Sequence, residues 1–311
     1  MQNAFRFFVL PLVLAAGCTS LAPADTAKPR PGAVSPVQTL RDQSLGKCRP
    51  KVRRFCEEVE KGVGQPTVFI QFPDNVPNAA ACIYDTRLGQ PRISVRRDAR
   101  EYEIAHEFTH FQIDLVERFS TVAWRRGAAH DPAIEAASGR IKTYVDDDIV
   151  HRRLVKLGFK PDVEVLNPLL FDTLYAPAAS QLEKGEPRER DGLSHLDKLG
   201  RGTLCRAAFL VQAEQILAQY GKRLSADHRA KTERFIRAVR THRPEEAAVA
   251  DQVLALFAKN DVNTDAGHQA ILEGWIAIEK LNPYLGISRF EPRDGRLILP
   301  WPADPVPATR R

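Results

Sequence analysis

Two histidines and a glutamate lie close together at residues 106–110, which read His-Glu-Phe-Thr-His. In an α-helix, residues four apart share a face with Cβ atoms about 5–6 Å apart, so His106 and His110 could bind one metal ion. Glu107 would point to a neighbouring sector and reach a water molecule on that metal. Imidazoles are zinc ligands, and a carboxylate can accept the proton of such a water. The spacing therefore predicts a hydrolytic zinc site with Glu107 as its catalytic residue.

The residues around this motif have the pattern of a buried helix. Asp98 can cap such a helix, and Glu101, three residues later, completes a capping box. No proline or glycine interrupts residues 98–118. Apolar residues recur at spacings of four, three and four, which predicts one face packed on a core: Ile104, Phe108, Phe111 and Leu115. The alternative is that both histidines are packed in that core without a metal.

The segments before the motif predict a small sheet. Residues 67–72 are β-branched and aromatic and stop at Pro73, which is typical of a strand. Residues 82–86 and 92–96 predict a hairpin. A small sheet followed by a helix that carries His-Glu-x-x-His resembles the zincin metallopeptidases over residues 65–160. The resemblance implies zinc-dependent peptide cleavage and an edge strand that binds extended peptide by strand addition, for which residues 93–96 are the candidate.

The branch of the zincins determines where the third zinc ligand is sought. Metzincins continue with a glycine three residues and a histidine six residues after the second histidine, where this chain has Ile113 and Val116. That branch is therefore excluded. Gluzincins take the third ligand from a helix further along the chain. The candidate helix here is residues 141–154, which contain three consecutive aspartates.

Three interpretations of these aspartates remain open. By resemblance, Asp147 and His151 match the gluzincin positions of a ligand glutamate and of an aspartate four residues later, although both residue types differ. We expect Asp147 to be the third ligand and His151 to lie behind the metal centre. Alternatively, His151 binds the metal, and Asp147 or Asp148 orients its other ring nitrogen. The third interpretation is a solvated acidic patch paired with neighbouring arginines, which are Arg140, Arg152 and Arg153.

The N-terminal residues indicate export. Arg6 precedes an apolar stretch, residues 7–16, that is too short to span a bilayer. Residues 14–19, Leu-Ala-Ala-Gly-Cys-Thr, resemble the lipobox of bacterial lipoproteins, in which Cys18 becomes the lipidated first residue. The resemblance implies membrane attachment through Cys18 in the cell envelope. Thr19, rather than aspartate, implies the periplasmic face of the outer membrane. An ordinary signal peptide is the alternative.

Composition and cysteine usage narrow the partners. The net charge is +6, but the basic residues are scattered and no aromatic-interleaved basic stripe occurs, so we expect no nucleic-acid partner.

Beyond Cys18, four cysteines remain: Cys48, Cys56, Cys82 and Cys205. An even number in an oxidising compartment predicts one disulfide among the first three, with partners that the sequence does not fix.

Five segments follow from these patterns. Residues 1–18 are the signal peptide, 19–40 a Pro-rich tether, 41–192 a zincin-like metal-binding domain, 193–290 a helical subdomain, and 291–311 a loose tail. Within 41–192, residues 158–192 are expected to be largely irregular. Four helices are predicted after residue 192, over 193–220, 225–242, 244–259, and from 263 or 264 to 281. The fold class is α+β, a small mixed sheet packed on the HExxH active-site helix, followed by a mainly helical C-terminal half.

The predicted function is zinc-dependent hydrolysis of a peptide or amide bond in a peptide or protein substrate of the cell envelope. His106, His110 and Asp147 would hold Zn²⁺, and Glu107 would activate water. The alternative is a non-catalytic envelope lipoprotein with a structural metal site and a helical docking surface.

Overall fold

The computed structural model describes residues 36–73, 80–85, 88–129, 131–166, 170–185 and 202–302. The predicted signal peptide with Cys18, the tether up to residue 35, and the tail from residue 303 lie outside these residues. The chain divides into two compact units, one ending at Phe111 and one beginning at Gln112. The described residues form an α+β fold with nine α-helices and small sheets, in agreement with the predicted class.

The first unit contains three helices and one sheet. Its elements are α1 (Pro36–Gly46), α2 (Pro50–Val63), β1 (Val68–Gln71), β2 (Ala80–Asp85), β3 (Gln90–Val95) and α3 (Glu101–Phe111). The sheet has the strand order β1-β3-β2, with β1 parallel and β2 antiparallel to β3. The strand at 67–72 and the hairpin over 82–96 are thereby confirmed as sequence predictions.

Strand β3 is the centre of this sheet, so the prediction that residues 93–96 form an edge strand is wrong. Ile93 lies opposite Phe69 of β1 on one side and opposite Cys82 of β2 on the other. Pro91, Ile93 and Val95 are buried at alternate positions, as expected for a strand with one face on a core. The edges of the sheet are β1 and β2.

Helix α3, which carries the His-Glu-Phe-Thr-His motif, packs against β2, β3 and α2. Its apolar stripe is buried as predicted, and the Phe108 ring lies 6.2 Å from that of Phe69. Its predicted capping box is displaced by two residues. Glu103 accepts the backbone N–H of Arg100 at 2.7 Å, whereas Asp98 pairs with Arg96.

The second unit is mainly helical. Its elements before residue 200 are a π-helical turn π1 (Gln112–Val116), β4 (Thr121–Trp124), α4 (Pro132–Leu157), π2 (Pro161–Val165), π3 (Leu170–Tyr175) and α5 (Ala176–Glu183). After residue 200 come α6 (Gly202–Tyr220), α7 (Ala226–His242), α8 (Pro244–Lys259), α9 (Asp265–Ile278), β5 (Leu285–Ser288), β6 (Glu291–Arg293) and β7 (Arg296–Ile298). Strand β4 pairs antiparallel with β5, and β6 with β7.

Local signals place the helices of the C-terminal half well. Ser225 caps α7 by accepting the backbone N–H of His228 at 3.1 Å, and Pro244 begins α8. Thr264 caps α9 by accepting the backbone N–H of Gly267 at 3.1 Å. A hydroxyl that accepts one of the first unpaired N–H groups stabilises a helix end by about 1 kcal/mol.

Three predictions differ from the structure. The segment predicted as a loose tail, 291–311, begins with strands β6 and β7. Residues 161–165 and 170–175 form π-helical turns and residues 176–183 form α5, where the sequence predicts an irregular segment. Helix α4 is continuous over 26 residues and includes both the small helix expected from Pro132 and the helix over 141–154. The reason is that residues 140–157 contain neither glycine nor proline, so nothing interrupts the helix before Gly158.

No disulfide joins the three cysteines of the first unit that the structure describes, so the predicted bridge among Cys48, Cys56 and Cys82 is wrong. Cys48 donates through its thiol to the carbonyl of Ser44. Burial raises the pKa of Cys48 to about 11 and that of Cys56 well above its usual range, so both thiols stay protonated. Cys205 lies on α6, but its side chain is outside the described part of the chain.

None of the helices in the described residues combines the length and the apolar character that crossing a membrane requires.

Gly267 in the first turn of α9 gives a test of this packing. A Cβ atom there would lie 2.1 Å from the carbonyl oxygen and 2.7 Å from the carbonyl carbon of Asp261, both backbone atoms. We therefore expect Gly267→Ala to lower the free energy of unfolding by about 1–3 kcal/mol, the usual cost of overpacking.

Urea unfolding followed by circular dichroism measures the change. Gly46→Ala is the control, because a Cβ there meets nothing within 4 Å; equal midpoints for the two variants would contradict the expectation.

Candidate metal centre

His106 and His110 project from the same face of α3 in the first unit. Their Nε2 atoms are 3.1 Å apart and their ring centroids 4.9 Å apart, and both side chains are half-buried. Two nitrogens that each lie about 2.0–2.1 Å from a tetrahedral zinc ion are separated by about 3.3 Å. The pair therefore has the spacing of two zinc ligands. The helix produces this spacing because positions four apart stack one above the other.

Glu107 follows His106 and is held by strand β2. The Cys82 residue donates hydrogen bonds to its carboxylate from both the backbone N–H and the thiol. Burial raises the pKa of Glu107, and the charge of His110 and the two hydrogen bonds from Cys82 oppose that shift in part. A carboxyl group with a raised pKa is a stronger base than an exposed glutamate. Glu107 is thus a half-buried carboxylate with a fixed orientation, suited to accept a proton.

Helix α4 places its three consecutive aspartates in three different environments. Asp146 is fully buried and binds His268. Asp148 accepts hydrogen bonds on both oxygens, from Gln219 on Oδ1 and from Arg152 on Oδ2. Of the three interpretations, pairing with an arginine applies to Asp148, which binds Arg152. Asp148 is buried, however, and not solvated as that interpretation expected.

Asp147 and His151 line the same small cavity in the second unit. This cavity of about 20 Å³ is also bordered by Tyr144 and Tyr220. Its volume is close to that needed for a single water molecule. Both candidates for the third ligand therefore face one space, as the spacing of four residues on a helix predicts.

His106 and His110 of the first unit each offer an imidazole nitrogen, and Asp147 of the second unit offers a carboxylate oxygen. Two imidazole nitrogens and one carboxylate oxygen are the ligand types of catalytic zinc sites with three protein ligands and an open position. The donor set therefore fits zinc.

A larger cleft of about 630 Å³ opens beside the small cavity, between α4, α6 and the end of α8. Asp148, Gln215 and Gln219 border both spaces. Phe257 and Leu254 form part of its apolar wall. The volume is in the usual range of small-molecule sites.

One contact of the candidate site, between Cys82 and Glu107, has no clear signal in the sequence. Nothing in the sequence pairs Cys82 with Glu107, because the contact between them depends on the position of β2 in the sheet. Lys142 and Asp146 do have a signal, because opposite charges four apart on a helix attract one another.

No protein-family model, curated protein or solved structure matches the chain. Its function is therefore inferred from the side chains of the candidate metal centre.

Proposed function

We propose that this chain is a zinc-dependent hydrolase that cleaves a peptide or amide bond. The observation that carries the proposal is the pair of Nε2 atoms of His106 and His110, 3.1 Å apart on one helix. Between them in the sequence lies Glu107, a carboxylate held by Cys82. Asp147 of the second unit is proposed as the third ligand, because a carboxylate and two imidazoles are the ligand types of catalytic zinc sites.

A bound zinc ion would supply a Lewis acid that polarises the scissile carbonyl and lowers the pKa of water. His106, His110 and Asp147 would hold the ion. Glu107 would accept a proton from the attacking water and deliver it to the leaving amine. Cys82 would keep the Glu107 carboxylate in one orientation through both steps. Burial raises the pKa of Glu107, which makes its carboxylate a stronger base than that of an exposed glutamate.

One observation favours the second candidate function, a non-catalytic envelope lipoprotein with a structural metal site. His151 lines the same small cavity as Asp147. If both residues bound the metal, four protein ligands would leave no open position for substrate. Separate removal of His151 and of Asp147 distinguishes the two functions, because both removals would deplete the metal only from a closed site.

The location of the protein and its substrate stay predictions. Lipidation of Cys18 would attach the chain to the periplasmic face of the outer membrane, and a peptide or protein would be the substrate. The net charge of +6 is compatible with an anionic membrane surface close by.

Removal of the metal tests the proposed function. We expect the purified full chain to contain about one zinc ion, measured by mass spectrometry, and to cleave fluorescein-labelled casein. Treatment with a chelator should abolish cleavage, and added zinc should restore it, because Glu107 alone cannot activate water sufficiently. A chain that stays metal-free after incubation with zinc and dialysis would contradict the proposal. A chain that binds zinc tightly and cleaves nothing would favour the non-catalytic function.

A further inference from the structure

A group of four polar side chains is held together inside the second unit. This buried cluster consists of Asp114 on π1, Lys142 and Asp146 on α4, and His268 on α9. The Lys142 ammonium lies 3.0 Å from Asp114 and donates a second hydrogen bond to Oδ2 of Asp146. The other oxygen of Asp146, Oδ1, lies 2.9 Å from Nε2 of His268.

Two members of the cluster have no access to solvent. The side chains of Asp146 and His268 are each 0% exposed. The ring of Phe119 lies 5.4 Å from that of His268 and covers it. Burial lowers the pKa of Lys142, but Asp114 and Asp146 raise it further, and the net result is a pKa above its usual range. Lys142 is therefore charged, and it pairs with the fully buried Asp146 although its own side chain is 25% exposed.

Burying such a cluster lowers the free energy of unfolding relative to a core of apolar side chains. Each charge removed from water loses several kcal/mol of solvation, and apolar residues of equal volume often join helices as well or better. What a buried ion pair does provide is one defined arrangement, because its hydrogen bonds are made in a single geometry. The cluster connects three elements in one such geometry, and Asp146 receives hydrogen bonds on both oxygens.

We propose that the buried cluster sets the rotation of α4 about its axis and so positions Asp147 as a metal ligand. Consecutive residues on an α-helix point about 100° apart. Fixing Asp146 against His268 and Lys142 therefore fixes the direction of Asp147, which faces the small cavity. Asp114 lies four residues after His110 along the chain, so Lys142 also joins α4 to the segment that directly follows the ligand helix. This inference rests on the proposed metal site.

Two variants of His268 separate positioning from packing. His268→Leu keeps an apolar side chain of similar volume but cannot donate to Asp146. His268→Gln can still donate through its amide nitrogen. We expect His268→Leu to weaken zinc binding by about tenfold to a hundredfold, the range seen when a partner behind a metal ligand is lost. We expect His268→Gln to stay within about threefold of the unchanged chain.

The measurement is the zinc dissociation constant of the full chain, obtained by competition with a chromogenic chelator, together with urea unfolding of the metal-free protein. Glu246→Gln is the matched control, because Glu246 is a buried carboxylate on α8 of the same unit, 1% exposed. It should change stability without changing zinc affinity. Asp146→Asn, which keeps the volume of the side chain, replaces His268→Leu if that variant does not fold, with the same expected loss.

The outcomes distinguish this inference from the proposed function. If the unchanged chain binds no zinc, both are overturned. If it binds zinc and His268→Leu and Asp146→Asn bind zinc equally tightly, the cluster is only structural and the inference alone is overturned. Weaker binding in both variants, with near-normal affinity in His268→Gln and Glu246→Gln, supports it.

Discussion

Replacing Glu107 with glutamine should leave zinc bound and reduce hydrolysis by at least about a hundredfold. Glutamine has the same shape, and its amide oxygen can still accept the hydrogen bonds from Cys82. It cannot take a proton from water, and the loss of a positioned general base typically costs a factor of about 10² to 10⁴ in rate. Neither His106 nor His110 is altered, so the metal content should stay at about one ion per chain.

The measurement is the initial rate of casein cleavage at equal zinc content, with Glu103→Gln as the control. Glu103 lies one turn earlier on α3 and accepts a hydrogen bond from Tyr102 at 3.1 Å. Its replacement should lower the rate by less than about threefold, because it is not part of the metal centre. Unchanged turnover in Glu107→Gln would exclude this residue as the base.

Removing one ligand should have an even larger effect on the metal. We expect His110→Ala and Asp147→Ala each to weaken zinc binding by more than about a hundredfold. Loss of a residue that only hydrogen-bonds to a ligand weakens metal binding by about tenfold to a hundredfold, and loss of the ligand itself should cost more. His151→Ala should weaken it by about tenfold or less if His151 only faces the small cavity. Zinc stoichiometry after dialysis and dissociation constants from chelator competition give these values.

The same series decides between the competing ligands on α4. Loss of zinc in His151→Ala with retention in Asp147→Ala would make His151 the third ligand. Loss in both variants would indicate a closed site and the structural function. His242→Ala is the matched control, because this histidine is exposed at the end of α7 and should not affect zinc.

The sequence predicts the fold best where the signal lies within a few residues. Ser225 and Pro244 mark helix starts that the structure confirms, because a hydroxyl cap and a proline in the first turn act locally. The hairpin of β2 and β3 is confirmed for the same reason. The proximity of His106 and His110 also follows from helix geometry alone.

Other features depend on partners that are distant along the chain. The ladder of β4 and β5 joins Thr121 to Ser288, and neither strand is predicted from its own residues. The central position of β3 depends on which side β1 joins, and nothing in residues 93–96 encodes that choice. Asp146 was expected only as one of three aspartates, because its partner His268 is 122 residues away.

These long-range contacts have a consequence for the order in which the second unit is completed. Helix α4 ends at Leu157, yet Asp146 binds His268 and Ser120 binds Asp265 at 2.8 Å. A ribosome releases the N-terminal part of a chain first, and contacts between distant segments form slowly because a long loop must close. The emerging chain therefore contains all three proposed ligands well before it contains the residues that bury Asp146. Stable metal uptake is expected as a late event of maturation, after α9 has docked.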